Sequence, residues 1–299
     1  MPAAPQNLTQ PRFAQGFSLA EGDVVALAGG TGMVKQNDMG HMETFLTLSA
    51  AGRHVAFRNI SWQADTVYLR QRPLNFGSQL EFLNRIQATV IIAHFGHMES
   101  LDGTARLAEF VAAYEALLDE FTQRTPNIVL ITPMPFAAQP DRPHVPDLTR
   151  HNPSVKAYAS AICDLARRRE LPCIDLVGFK SEGYTRDGVH LTPAGQAAWA
   201  GEVARQLLHQ PPEFYVTRDG AFEDAEMETM RQAILGKNRL WQRHWRPTNW
   251  AFVYGDRQHV PSSHDHRPGQ PRWFPAELDA ILPHIQSAER EIFSLNERQ

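Results

Sequence analysis

The sequence predicts an α/β/α sandwich built on a parallel sheet, followed by a mainly helical C-terminal extension. Short apolar runs alternate with longer segments of helical period from about residue 23 to 208, which is the pattern of successive βαβ units. The alternation ends at Pro211 and Pro212, and beyond them only helical period and loops remain. With 299 residues, 42% of them hydrophobic and 21% charged, the chain can bury one large core. These observations divide it into an N-terminal arm (1–21), an α/β domain (22–210) and an extension (211–299).

Strands are expected at 23–28, 54–59, 89–93, 127–132 and 172–176, each a short apolar or β-branched run between turn residues. Helices are expected between them at 38–49, 76–85, 104–122 and 154–169. The third helix is the clearest, because Leu107, Phe110, Val111, Tyr114, Leu117 and Leu118 fall on one face. A last core helix, 193–208, opens with Thr192 as N-cap and Pro193 at its first position. In the extension, 222–237 reads as a helix and 260–275 as a Pro/His-rich loop. Residues 276–295 read as a terminal helix with Leu278, Ile281, Leu282, Ile285, Ile292 and Leu295 as its buried stripe.

A formal charge of −4 and a pI near 6.3 give no field that would gather nucleic acid. No 18 apolar residues run together and no charged-then-apolar leader opens the chain, so no membrane partner and a cytoplasmic location are expected. Cys163 and Cys173 have neither a disulfide-framework pattern nor zinc-ligand spacing, and read as two buried free thiols. No cofactor is implied. The partner is expected to be a small-molecule or saccharide substrate.

Ligands of open α/β sheets bind beyond the carboxyl ends of the strands, which directs attention to four loops. They are Gly29-Gly30-Thr31, the stretch 61–66, the stretch 94–100, and 187–192 before the last core helix. The strongest signal is Asp187 three residues before His190, since the carboxylate can orient the imidazole while the ring faces a nucleophile. The bland reading makes Asp187 a turn residue and His190 an ordinary half-buried histidine. For Thr31 the bland reading is a helix N-cap.

Taken in order, these motifs resemble the SGNH (GDSL-type) hydrolase superfamily over about residues 22–208. Gly29-Gly30-Thr31 lines up with its G-D-S block, Ala64-Asp65-Thr66-Val67 with the glycine before D-T-V, and Gly96-His97-Met98-Glu99 with G-x-N-[DE]. D-x-x-H is intact as Asp187 and His190. The segments 58–67 and 95–103 look like a branch whose first block reads G-[GN]-T. The resemblance implies a flavodoxin-like sandwich and ester hydrolysis, with an O-acyl carbohydrate as one substrate class. Thr31 would be the nucleophile, His190 the general base and then acid, and Asp187 the orienting carboxylate. N–H groups of Thr31 or Gly32 and Ala64 would hold the oxyanion.

The departures bear on mechanism. Threonine replaces the family serine, Ala64 its oxyanion glycine and Met98 its oxyanion asparagine, so one of four emblematic residues survives. Losing an oxyanion donor costs roughly 100- to 1,000-fold in turnover. His97 could donate in place of the lost amide. Trp62 could supply a ring face for a sugar or acyl group, and Gln63 an amide for a hydroxyl. Two alternatives stay open: a catalytically impaired ligand-binding or scaffold protein, and a metal-dependent hydrolase using His97, Asp187 and His190, with His94 beside them. The basic and aromatic residues between Lys237 and Arg257 read as an amphipathic segment with snorkelling side chains; the alternative has them closing over an anionic or carbohydrate ligand.

Overall fold

Five strands form one parallel sheet in a computed structural model that describes residues 12–297 apart from Pro140, Pro143 and Pro271. They are β1 (Val24–Gly29), β2 (Ala56–Asn59), β3 (Val90–His94), β4 (Ile128–Ile131) and β5 (Cys173–Ile174), ordered β2-β1-β3-β4-β5. Residues 1–11 of the expected N-terminal arm lie outside the described residues. The chain steps outward from β1 to β2 and then crosses back to β3, so the strand order reverses between β1 and β3. That reversal opens a crevice at the carboxyl ends of the strands. The register pairs Gly29 with His94, which brings the last residues of β1 and β3 level at the crevice.

Strand side chains alternate between two apolar layers, as a parallel sheet covered on both faces requires. Val25 and Leu27 enter one layer with Phe45, Leu46, Trp199 and Val203, while Ala26 and Ala28 enter the other with Leu83, Tyr114, Leu117 and Ile162. The first layer is covered by α1 (Thr31–Met39), α2 (His41–Ser49) and α6 (Pro193–Leu207). The second is covered by α3 (Gln79–Arg85), α4 (Leu107–Thr122) and α5 (Asn152–Arg168). The α6 start follows its sequence signature: Thr192 Oγ1 accepts from the Gly195 N–H at 3.1 Å and Pro193 opens the helix.

Three expectations need correction. The helix expected at 38–49 begins already at Thr31 and is divided at Gly40, whose φ of 74° ends α1 and starts α2. The terminal helix is two, α9 (Trp273–Asp279) and α10 (Leu282–Asn296), because Pro283 has no N–H with which to continue the preceding helix. Cys163 and Cys173 are not free thiols but a disulfide, with their Cα atoms 5.4 Å apart. The chain turns back after α5, with the Leu171 N–H donating to Ala166 O at 2.9 Å, and this lays β5 against the helix it has just left.

The extension contributes α7 (Ala225–Trp245) and the short α8 (Trp250–Val253) before α9 and α10. Asp224 caps α7 by accepting from the Met227 N–H at 2.8 Å. The helix lies along α1, α2 and α10. Met227 joins the first apolar layer, and Trp241, Trp245 and Ile285 join the second. Buried Lys237 pairs with Glu43 at 2.6 Å and donates to Phe57 O at 3.2 Å, while Trp241 Nε1 donates to Asn59 O at 2.8 Å. Among the described residues no helix is long and apolar enough to cross a membrane.

Candidate active site

At the end of β1 the backbone is crowded on two sides. A Cβ on Gly29 would lie 2.5 Å from His94 O, and one on Gly30 would lie 2.9 Å from Asp65 O, so glycines let three loops converge here. Gly30 is the N-cap of α1, with extended φ and ψ of −85° and −153°, and no side chain caps the helix. This corrects the reading of Thr31 as a helix cap. Thr31 is the first helical residue, so its hydroxyl is left for other partners. The N–H groups of Thr31 and Gly32 belong to the first turn and have no carbonyl within the helix.

The loop after β2 is tied to the first by the Trp62 N–H, which donates to Gly29 O at 3.2 Å. Ala64 holds a φ of 64°, a left-handed conformation in which its Cβ is strained. Next to it, Asp65 is buried and receives both guanidinium nitrogens of Arg72, at 2.8 and 2.7 Å. Burial raises the Asp65 carboxyl above its usual range against the pull of Arg72.

Glu99 organises the loop after β3. Its buried carboxylate accepts from the Val67 N–H and the Gly96 N–H, each at 2.9 Å, and so fixes two loops with one side chain. Burial raises its pKa despite these donors. The His97 ring stacks on Phe136, with centroids 4.5 Å apart and planes 19° from parallel. Its Nε2 is shut off from solvent and has no partner among the described residues. Burial, helped by nearby His190, pushes the His97 pKa down to about 4, so the ring is neutral near pH 7. His94, against Trp199, is pushed down to about 3 by burial and by His97.

The fourth loop closes as a narrow hairpin with Thr185 bridged to Leu191. Asp187 Oδ1 accepts from the N–H groups of Val189 and His190 at 3.0 and 2.7 Å, and Oδ2 lies 2.7 Å from His190 Nδ1. With Nδ1 engaged, Nε2 is the ring nitrogen left to other partners. Burial alone would raise the Asp187 carboxyl, but the donors from His190 and Val189 outweigh it and hold the pKa below its usual value. The Ala137 N–H donates to Gly188 O at 2.9 Å and Arg142 Nη1 to Arg186 O at 2.6 Å, pinning the hairpin to the loop after β4.

These loops enclose a cavity of about 770 Å³ whose lining includes Thr31, Gly32, Gln63, Ala64, His97, Asp187 and His190. His94 lines it as well. Trp62 does not line this cavity. It stands edge-on to Trp245 at 5.4 Å and under the Arg246 guanidinium at 3.8 Å, in a neighbouring hollow, because that packing holds its ring away from the cavity of Gln63 and Ala64. Sequence reasoning missed the loop after β4, which gives the cavity Met134 and Phe136. The strand-end rule that selected the other loops would have found it. Met98 is 49% exposed at the rim. Asp187 and His190 bind each other and His97 lies flat on Phe136; among the described residues no group of three or more His, Cys, Asp or Glu could hold a metal ion.

A sequence profile of the GDSL-like lipase/acylhydrolase family matches residues 35–198, more than half of the chain. The matched segment contains Ala64, His97, Asp187 and His190 and begins after Thr31. No curated protein shows significant sequence similarity to the chain. Among solved structures, a gut microbial diltiazem-metabolizing enzyme is similar with a TM-score of 0.60 at 12% identity, over 94% of this chain and 96% of that one. That likeness, one of fold, takes in the extension as well as the sandwich. An acetylxylan esterase from Geobacillus stearothermophilus, in a catalytic mutant form, aligns over 65% of this chain and 98% of its own at 13% identity, with a TM-score of 0.49.

Proposed function

The chain belongs to the GDSL-like lipase/acylhydrolase family and is an SGNH-type ester hydrolase, and from that premise we propose that it cleaves esters through Thr31, His190 and Asp187. The observation that carries the proposal is the 2.7 Å Asp187–His190 pair, whose His190 shares one cavity with the hydroxyl at the start of α1. Thr31 Oγ1 attacks the acyl carbon and passes its proton to His190 Nε2, while Asp187 stabilises the imidazolium. Collapse of the tetrahedral intermediate expels the alcohol, which takes that proton and leaves an acyl-Thr31 ester. Water, deprotonated by His190, then attacks this ester and releases the carboxylic acid and the free threonine.

The developing oxyanion needs donors that do not have to move. The Gly32 and Ala64 N–H groups are suited to that task, and the unpartnered His97 Nε2, closed to solvent as it stands, becomes a third donor when its ring turns to meet the oxyanion, in place of the side-chain amide that Met98 lacks. The apolar part of the lining, including Phe136 and Leu148, fits the acyl group. Gln63 fits a hydroxyl of the alcohol part, which we propose includes O-acylated carbohydrate.

The test uses aryl acetates, longer aryl esters and acetylated xylooligosaccharides. His190→Ala and Asp187→Asn are expected to remove hydrolysis and leave Tm nearly unchanged, and Thr31→Ser to preserve or raise the rate by removing a crowding methyl group. Mass spectrometry of the acyl-enzyme should find the acyl group on Thr31. Wild-type rates from His190→Ala, or an acyl group trapped on another residue, would refute the assignment.

A further inference from the structure

Beside the cavity lies a second hollow of about 330 Å³, lined by Trp62, Trp245, Arg246, Trp250 and Tyr254 together with Pro73. Trp62 belongs to the hollow and the next residue, Gln63, to the cavity. Arg246 Nη1 donates to Gln63 Oε1 at 2.8 Å, so this pair ties the lining of one space to that of the other. The Arg246 guanidinium sits 3.8 Å from the Trp62 ring centroid and 5.8 Å from that of Trp245. Trp250, which also lines the hollow, is 49% exposed.

The charge in this hollow is not balanced. Asp65 has both oxygens engaged by Arg72, and Asp38 is paired with Lys35 at 3.2 Å. Among the described residues Arg246 makes no ion pair, although it is half-buried. Burial, and after it the charge of Arg72, lowers its pKa, as expected of a cation removed from water without a counter-ion. An arginine fork offers a planar set of donors that matches a carboxylate, and aromatic rings offer faces on which another ring can lie. The volume is at the small end for a ligand site and suits one ring with its substituents.

We propose that this hollow is a subsite for a ring that bears a carboxylate, with Arg246, seated on Trp62, holding the carboxylate and Trp250 flanking the ring. Its place beside Gln63 makes it the site for one end of the substrate; that role rests on the ester-cleaving reading of the adjoining cavity. The ring can be that of an aromatic acid or of a sugar acid. Both present the same carboxylate to the same guanidinium.

Calorimetric titration of the full chain with benzoate against benzamide, and with methyl β-D-glucuronoside against methyl β-D-glucoside, tests the subsite without turnover. At least one acid should bind roughly tenfold or more tightly than its neutral partner, and the acid that does so identifies the ring. Arg246→Gln should remove that preference, Arg246→Lys should retain part of it, and Trp250→Ala should weaken acid and neutral partner alike. His190→Ala, in the main cavity, should leave the affinity unchanged. Equal binding of acid and neutral partner, or an undiminished preference in folded Arg246→Gln, overturns the proposal. An enzyme that binds the acid and hydrolyses no ester would count against Thr31 and not against this subsite.

Discussion

Replacing His97 with phenylalanine separates the ring from its nitrogens. The ring can keep its stack on Phe136, 4.5 Å away, while the sealed and unpartnered Nε2 disappears. An unsatisfied buried polar atom costs about 1–3 kcal/mol, so His97→Phe should fold with a Tm equal to or above wild type. Turnover should behave oppositely. An oxyanion donor in a water-excluded position is worth about 100- to 1,000-fold, and the loss should fall in kcat, because the interaction strengthens only as charge develops on the oxygen. The rim position is worth less: Met98 is 49% exposed, so an amide introduced by Met98→Asn competes with water and should add roughly tenfold, about 1.4 kcal/mol. The gain should be larger in the His97→Phe background, where the amide replaces a missing donor. The assay is steady-state hydrolysis of an aryl acetate, with kcat and KM resolved for the four proteins of the cycle. A well-folded His97→Phe with kcat within about threefold of wild type would refute the assignment and leave the oxyanion to Gly32 and Ala64 alone.

Acid should destabilise the fold in a defined window. His41 and His97 are pushed down to about 4 and His94 to about 3, in each case chiefly by burial, whereas the unfolded chain titrates near its ordinary ~6.5. Below ~6.5 the unfolded state takes up protons that the native state refuses, so stability is complete above that pH and falls as pH drops towards 4, by up to about 1.4 kcal/mol per pH unit per group. The raised carboxyls of Asp65 and Glu99 act with the opposite sign, so the check compares proteins: the fall in urea midpoint from pH 7.5 to 5 should be smaller in His97→Phe than in wild type, and an equal fall would contradict it. Ala64→Gly should leave kcat unchanged and hold or raise Tm, because removing a left-handed Cβ relieves about 1–2 kcal/mol and glycine's unfolded-state freedom returns part of it; Ala64→Val should be clearly less stable, and a more stable valine variant would refute the strain. The Cys163–Cys173 bridge closes a short loop, and its reduction should cost roughly 2–3 kcal/mol. Two free thiols titrated in denatured, unreduced protein would refute the pairing.

The strands were legible because a parallel sheet buried on both faces demands short apolar runs, and β3 is buried along its whole length. Ends were less legible: β5 is paired only at Cys173 and Ile174, although the apolar pattern runs on to Leu176. The D-x-x-H loop carried its own chemistry, and the structure joins Asp187 to His190 as that spacing implies. Thr31 was ambiguous for a local reason, since cap and first helical residue differ only in which of two neighbours has extended backbone, and glycine at position 30 accepts either state. The disulfide was hidden because sequence separation does not report how β5 folds back on α5. Phe136 and Met134 bear no chemical signature, so their place in the cavity follows only from where β4 ends. Arg246 and Trp245 lie in a stretch read as amphipathic, and burial of Trp241 and Trp245 fits that reading, yet the sequence did not show that the arginine lining the hollow lacks a counter-charge.

The helix α7 also determines what the sheet presents to other molecules. β2 is an outer strand, and a strand in that place offers carbonyls to any chain that can add to it. Here Lys237 takes Phe57 O and Trp241 takes Asn59 O, so side chains occupy the acceptors that a foreign strand would need. A fragment cut after the sandwich would bare those carbonyls and leave Glu43 without its cation. The segment after residue 210 therefore guards the sheet against edge-to-edge association, and ending the chain at residue 210 exchanges a closed edge for an adhesive one.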